Sequence, residues 1–404
     1  GTHRRGGMTT WIGTPVRRVE DPHLLAGAGR FVADVEVTGV LHAAFVRSPV
    51  AAGRVVGSSA SDAEMMDGVH GVYFAADLGL VALEPRLQRP EFTAVDFPIL
   101  ASGAVHHTGE PVAVVLASSP YVAEDAAETV YIDYDAAPAV ASIDAALAVD
   151  APLVHPEAPG NLLLDVAAFD APDIDEVLAG SAVQIEMTLE SARLNATPLE
   201  ARACLALWDR REGRLVVYLS TQVPHLVRLT LSNLLGLAEN RIRVVSPDVG
   251  GGFGQKCVIG REEMAVAALA LKLKRPVRWI EDRNENLQAS FQGHEQRYHV
   301  RAGFDADGRI TGVDADILCD IGAYHCYPMT CGVEVLMASG ELPGIYKVSR
   351  YRARSRGVAT NIWSVPSYRC GPVIGRLHSR MVAARATVEV TVPESAVVLQ
   401  TVAT

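Results

Sequence analysis

Four glycines fall within five residues of one short stretch, PDVGGGFGQK, which runs from Pro247 to Lys256. Glycine in an ordered segment costs backbone entropy, so this cluster indicates a place where side chains would block a close approach to the backbone. A run of this kind between a strand and a helix can bind an anion through backbone N–H groups. On these residues alone two interpretations stay open: an anion-binding loop, or a tight turn that only packs a strand against a helix.

The spacing of the stretch does not fit the two common phosphate-binding motifs. A P-loop has lysine directly after its last glycine and then Ser or Thr, but here Gln255 separates Gly254 from Lys256, and Cys257 follows. The dinucleotide fingerprint G-x-G-x-x-G needs a third glycine where this chain has Gln255. The context therefore suits the edge of a cofactor site, while neither nucleotide motif is met.

Other residue types with chemical potential give weaker signals. The cysteines between 319 and 331 lack ferredoxin spacing and are predicted to be buried thiols. His106 and His107 are predicted to be surface or core histidines, and Asp305–Gly308 a turn that lacks the glycine position of a calcium loop. The six cysteines are too sparse for a disulfide scaffold, and reduced thiols in a cytoplasmic protein are expected; they are Cys204, Cys257, Cys319, Cys326, Cys331 and Cys370.

Regular elements flank the glycine stretch on both sides. RIRVVSP at 241–247 predicts a strand that leads into it, and REEMAVAALALKLK at 261–274 predicts a helix that Pro276 ends. CLALWD and RLVVYLS enclose the turn RREG and predict a hairpin, and PHLVRLTLSNLLGL has the apolar spacing of an amphipathic helix.

The N-terminal third has its own β-α-β pattern. Strands are predicted at 41–47, 71–75 and 111–117, and Ser119 with Pro120 predicts the start of a helix before the strand TVYIDYD. Ser61 and Glu64 have the spacing of a capping box. We therefore predict a first domain over 11–140, a linker over 141–175 and a second domain over 176–371.

The composition excludes several classes of protein. Of 404 residues, 49% are hydrophobic and 21% charged, which is typical of a globular protein with a sizeable core. A net charge of −11 argues against nucleic-acid binding, and no apolar run is long enough to span a membrane. The N-terminus lacks the apolar region of a signal peptide, so a cytoplasmic location is expected.

Several long segments, in order along the chain, resemble one family. VVSPDVGGGFGQK with the helix after it, GTPVRRVEDPHLLAGAGRFVADV, NATPLEARACLALWD, LSTQVPHLVR, IGAYHCYP and VPSYRCGP resemble the large, molybdenum-binding subunit of the molybdenum hydroxylases. That family includes xanthine and aldehyde oxidases and carbon-monoxide dehydrogenases. The resemblance covers roughly residues 11–371 and implies an α+β fold: a hammerhead-like domain followed by the first of the cofactor-binding α/β domains.

The resemblance also implies a cofactor and a chemistry. The family binds molybdenum through molybdopterin, often as the cytosine dinucleotide form, and hydroxylates a carbon with oxygen drawn from water. By resemblance, Gly251, Gly252, Phe253 and Gly254 lie beside the molybdenum group, with Phe253 as a wall. Gln222 matches a glutamine that donates a hydrogen bond to an oxygen on the metal.

Two further residues match a loop of the family's active site. Arg369 in SYRCG matches an arginine that can steady anionic groups. Tyr368-Arg369-Cys370 also matches the triplet whose cysteine holds copper in carbon-monoxide dehydrogenases, but Gly371 and the residues after it differ from that subfamily. Copper at Cys370 is therefore the minority interpretation. Cys257, where purine oxidisers carry a glutamate, argues mildly against purine substrates.

The family context implies partners that this chain does not contain. Electrons would pass to an iron–sulfur small subunit and then to an FAD-binding medium subunit, and the substrate would be a small molecule. The glutamate expected to be the general base belongs to a C-terminal half that these 404 residues do not match, and 372–404 form a tail without resemblance. Two functions remain: the cofactor-binding portion of a hydroxylase, joined by a polypeptide with the other half, or a truncated, non-catalytic remnant.

Overall fold

A computed structural model describes residues 12–365 and the backbone of 398–402. Strands and helices are mixed along the described chain, which confirms the predicted α+β class. The strands are β1 Leu41–Arg47, β2 Gly53–Ser59, β3 Val69–Phe74, β4 Ala104–Val105, β5 Pro111–Ala117, β6 Tyr131–Ala136, β7 Leu162–Phe169, β8 Val183–Ser191, β9 Leu194–Asn195, β10 Ala203–Asp209, β11 Arg214–Leu219, β12 Ile242–Val245, β13 Val277–Ile280, β14 Gln292–Gly293, β15 Glu295–Phe304, β16 Ile310–Gly322, β17 Tyr351–Ala359 and β18 Val398–Val402.

The helices are mostly short and lie between strands. They are α1 Asp21–Leu25, α2 Ser61–Glu64, α3 Ala75–Leu78, α4 Pro120–Thr129, α5 Ile143–Ala146, α6 Ile174–Ala179, α7 Pro224–Leu235, α8 Arg261–Leu273, α9 Arg283–Ala289 and α10 Gly332–Glu341, with 3-10 turns at Val32–Asp34, Pro159–Asn161 and Glu239–Arg241. No helix of the described residues is long and apolar enough to cross a membrane.

Two large sheets organise the described residues. One has the strand order β12-β11-β10-β13-β1-β5-β3, and the other has the order β18-β8-β15-β16-β17-β7. Smaller sheets are formed by β4-β2-β6 and β14-β9. The seven-stranded sheet combines strands from the first 120 residues with strands from the second half, because β1 pairs in parallel with β13.

Several local predictions are confirmed. The strand at 111–117 is buried along its whole length, and the side chain of Ser119 accepts a hydrogen bond from the N–H of Val122 at the start of α4. The predicted capping box at Ser61 is wrong, since Ser61 is already the first helical residue of α2 and Ala60 is the N-cap.

The segment 141–175 contributes structure of its own. It contains α5, a 3-10 turn and β7, and β7 is hydrogen-bonded to β17 at one side of the six-stranded sheet. Leu163 and Leu164 in β7 are fully buried, so this Pro- and Ala-rich stretch also supplies part of the core.

Candidate functional site

Two neighbouring parallel strands bring the glycine loop and Gln222 to the same place. β11 and β12 are paired in parallel, with Tyr218 opposite Val245. Parallel strands present their carboxyl ends at one edge of the sheet, so the segments that follow them start side by side. Gln222 follows β11 by a few residues, and the glycine loop, residues 249–254, follows β12 in the same way.

The apex of the glycine loop requires unusual backbone angles. Gly251 and Gly254 have φ values of 102° and 97°, which side chains rarely adopt. Phe253 has a φ of 51° although it is not glycine, and its side chain is 40% exposed. Non-glycine residues in this region store strain and persist where the surrounding structure fixes them, often at functional sites.

The other glycines of the loop make room for the protein's own side chains. A Cβ added to Gly252 would lie 2.6 Å from Cδ of Gln222, and one added to Gly250 would overlap Cβ of Glu200. The groups that approach the glycine backbone closely are therefore partly side chains of the protein itself. The loop, Gln222 and Glu200 pack together, and the apex of the loop lies on the outer side of this unit.

The hydrogen bonds of Gln222 decide which end of its amide points outward. The backbone N–H of Gly254 donates to Oε1 of Gln222 over 3.1 Å. Because an N–H must meet an oxygen, the NH2 group of this side chain is left to donate elsewhere. Gln222 is exposed, so this donor lies on the open side of the loop. A donor without net charge suits an oxygen-bearing anionic group.

Two consecutive side chains hold the loop from below. Nε2 of Gln255 donates to the carbonyl of Phe291 at 3.0 Å, and its Oε1 accepts from Asn286 at 3.2 Å. Nζ of Lys256 donates to the carbonyl of Glu200 and to Oγ of Ser220, both at 2.8 Å. Both side chains are buried, and their hydrogen bonds hold the exposed apex of the loop in place.

The helix after the loop does not offer its N-terminus to a ligand. α8 begins at Arg261, and its first turn carries Glu262 and Glu263. Both carboxylates are buried and pair with Arg202 at 2.9 and 3.3 Å, and Glu262 also pairs with Arg47 of β1 at 2.8 Å. These acidic side chains already occupy the positive end of the helix dipole.

The two neighbouring glutamates of α8 differ in their affinity for protons. Burial opposes ionisation of Glu262, but Arg202 and Arg47 together lower its pKa to about 2. Burial raises the pKa of Glu263 to about 7, because it shares Arg202 with Glu262 and lacks a second arginine. Between these two pKa values Glu262 is ionised and Glu263 carries a proton.

This proton predicts a pH effect on stability. The folded chain keeps the proton of Glu263 up to about pH 7, while an unfolded glutamate releases it near 4.5. The folded state therefore binds more protons between these values, and Glu263 makes the free energy of unfolding fall as the pH rises from about 5 to 7. We expect Glu263→Gln to remove this contribution, measured by urea unfolding at pH 5, 6, 7 and 8.

The quantity to compare is the difference in the free energy of unfolding between the parent protein and Glu263→Gln at each pH. His106, whose pKa burial lowers to about 4, acts in the opposite direction over the same range. This histidine is present in both proteins, so its contribution cancels in the difference. Equal pH slopes for the parent and Glu263→Gln would contradict the assignment of the proton to Glu263.

The other residues singled out in the sequence either lie outside the described residues or are buried. Arg369 and Cys370 lie outside the described residues. The three thiols between 319 and 331 are fully buried, as predicted, and burial raises the pKa of each. His107 is a core residue and its ring packs edge-on against Trp363. Within 12–365, no group of three or more His, Cys, Asp or Glu side chains could hold a metal ion.

Sequence reasoning missed the residues that support the loop. Glu200 and Arg202 lie just before β10, Ser220 lies just after β11, and Asn286 lies in α9. The segments NATPLEARAC and LSTQ were singled out, yet nothing in the spacing shows that Glu200 and Ser220 meet Lys256. The available signal was the lysine itself, because a lysine that closes a glycine loop and enters a buried region needs a carboxylate partner.

Comparisons with known proteins cover nearly the whole chain. The molybdopterin cofactor-binding domain matches residues 154–386, and the a/b hammerhead domain of aldehyde oxidase and xanthine dehydrogenase matches residues 26–138. The nicotine 6-hydroxylase large subunit of Paenarthrobacter nicotinovorans is 38% identical over 363 residues, which are 89% of this chain and 44% of that subunit. The carbon monoxide dehydrogenase large chain of Hydrogenophaga pseudoflava is 32% identical over 87% of this chain and 45% of its own length.

A solved structure gives the same result. Quinoline 2-oxidoreductase from Pseudomonas putida 86 superposes with a TM-score of 0.86 at 34% identity, over 92% of this chain and 48% of that one. The chain thus spans about half the length of the relatives that it matches.

Proposed function

Because this chain belongs to the large, molybdopterin-binding subunits of the molybdenum hydroxylases, we propose that its glycine loop and Gln222 form one wall of a molybdenum cofactor site. The observation that carries the proposal is the pairing of Gly254 N–H with Oε1 of Gln222, which turns the NH2 group outward. Gly251 and Gly254, with φ values of 102° and 97°, carry no side chains at the apex of the loop, near that donor. When bound, the cofactor supplies a two-electron hydroxylation with water as the source of oxygen.

The residues of this chain bind and orient that group. The amides near Gly252 and Gly254 and the NH2 group of Gln222 present donors without a net charge. Phe253, which is 40% exposed, is proposed to form an apolar wall beside the group. Arg369 is proposed to steady anionic groups from its loop, and the cofactor is proposed to be the cytosine dinucleotide form of molybdopterin.

The reaction also needs parts that the described residues do not provide. We propose that the segment corresponding to the other half of the relatives' length completes the site and carries the general base, in this polypeptide or in a second one. An iron–sulfur subunit and an FAD subunit are proposed as electron acceptors. An N-heteroaromatic substrate is proposed, since nicotine and quinoline are named for the two relatives that are 38% and 34% identical. Copper at Cys370 remains the less favoured alternative.

The test is the content of molybdenum, copper and released cytidine nucleotide. The chain is purified from a host that makes the cofactor, once alone and once with the remaining half and the two electron-transfer subunits. We expect about one molybdenum and one cytidine nucleotide per chain in the full complex, and weak retention with no turnover for the chain alone. Preparation from a host that cannot make the cofactor is the control.

Three outcomes would change the proposal. A folded complex without metal and nucleotide would favour the non-catalytic remnant. Stoichiometric copper would support Cys370 as its ligand. Turnover by the chain alone would refute the need for another half.

A further inference from the structure

Lys256 is a buried cation whose three donors are all used. Only 2% of this residue is exposed. Its Nζ donates to the backbone carbonyl of Glu200 at 2.8 Å, to Oγ of Ser220 at 2.8 Å and to Oε2 of Glu200 at 3.2 Å. An ammonium group has three hydrogens, so this set is complete and leaves none for a ligand.

Its partner carboxylate is also bonded to the glycine loop. Oε2 of Glu200 accepts from the backbone N–H of Gly250 at 2.8 Å and from Oγ of Ser220 at 2.7 Å. The backbone N–H of Glu200 donates back to the carbonyl of Gly250 at 3.1 Å. Glu200 therefore fixes the first glycine of the loop in both directions, and Lys256 neutralises the charge that does so.

The backbone of Lys256 is bonded to the segment that carries Gln222. The carbonyl of Lys256 accepts from the N–H of Gln222 at 3.0 Å and from Oγ1 of Thr221 at 3.3 Å. One residue thus holds the entry of the glycine loop through its side chain and the base of Gln222 through its carbonyl. Both segments that face the proposed cofactor meet at this point.

We infer that Lys256 is a positioning residue that fixes the register between the glycine loop and Gln222, through the buried clamp that it forms with Glu200 and Ser220. The inference rests on the proposed function for its consequence, which is that the outward NH2 group of Gln222 is held at a set place above the loop. The clamp itself is independent of any ligand, so it can be tested in the chain without cofactor.

The experiment is hydrogen–deuterium exchange on the full chain, read by mass spectrometry. The variants are Lys256→Met, Glu200→Gln and the double variant, with Lys347→Met as the control because Lys347 is exposed. We expect Lys256→Met to speed exchange about tenfold or more in 249–257 and 220–223, while β15 in the other large sheet is unchanged. Lys256 and Glu200 belong to one clamp, so we expect the double variant to lose about as much protection as Lys256→Met alone.

Each outcome decides the matter. Unchanged exchange in Lys256→Met would overturn the inference, as would single effects that simply add in the double variant. If Lys256→Met loosens the whole chain, Glu200→Gln decides: uniform loosening there too would mean a general structural role. Molybdenum retention in the full complex is the second readout, with an expected loss of about tenfold or more in Lys256→Met. If the variants change exchange as expected but the parent complex contains no molybdenum, the proposed function is wrong and the inference about the clamp still holds.

Discussion

Replacing Gly252 with alanine is expected to remove most of the bound molybdenum cofactor while leaving the fold intact. The new Cβ would lie 2.6 Å from Cδ of Gln222, so this side chain must move and its bond with Gly254 N–H is lost. The NH2 group of Gln222 is then no longer placed to donate to the cofactor, and losing a hydrogen bond to a charged group costs about 1.5–3 kcal/mol, which is about a 10- to 150-fold loss of affinity. The measurement is molybdenum and nucleotide per chain in the purified complex, after dilution and gel filtration.

The stability of the same variant separates a local effect from a global one. The atoms that must shift belong to the far end of a flexible side chain, so we expect the free energy of unfolding to change by less than about 1 kcal/mol. Gly340→Ala in α10 is the matched control, because a Cβ there meets nothing within 4 Å. Full cofactor retention in Gly252→Ala would show that Gln222 does not bind the group.

Removing the Arg202 guanidinium is expected to cause a large loss of stability. Arg202 is buried and pairs with Glu262, Glu263 and Glu281 at 2.9, 3.3 and 3.1 Å. It also lies over the ring of Trp279 at 4.9 Å. Arg202→Met keeps most of the volume but leaves these carboxylates without their main partner. We expect the free energy of unfolding to fall by about 3–5 kcal/mol, measured by urea unfolding at pH 7.

A surface arginine gives the comparison. Arg354 forms a 2.6 Å ion pair with Asp165 but is 56% exposed. Exposed pairs contribute about 0–1 kcal/mol, so Arg354→Met should unfold almost as the parent does. A loss below about 1 kcal/mol for Arg202→Met would mean that the buried carboxylates find other partners or take up protons.

The sequence was informative wherever a pattern is local. The buried strand at 111–117, the Ser119 cap and the helices at 224–235 and 261–273 follow from apolar spacing and capping chemistry, and all are present. The strand–glycine–helix order at 242–261 was likewise visible. The family resemblance predicted Gln222 beside the glycine loop, and the parallel pair β11–β12 explains why they meet.

The supporting contacts could not be predicted, because they join residues far apart in sequence. Lys256 and Glu200 are 56 positions apart, and Arg47 lies 215 positions from Glu262. A sequence pattern shows that a lysine or a glutamate is present but not which partner neutralises it. For the same reason, the sequence does not show that Glu262 and Glu263 pair with Arg47 and Arg202 at the N-terminus of α8.

The pairing of β1 with β13 has a consequence for the order of events during synthesis. Leu41 pairs with Val277, so one edge of β1 has no neighbour until 236 further residues have been made. At about 5–20 residues per second, that wait lasts roughly 10–50 s on the ribosome. Throughout it, the amides and carbonyls of that edge can pair with a strand of any other nascent chain. The nascent N-terminal third is therefore exposed to pairing with other chains until β13 has been made.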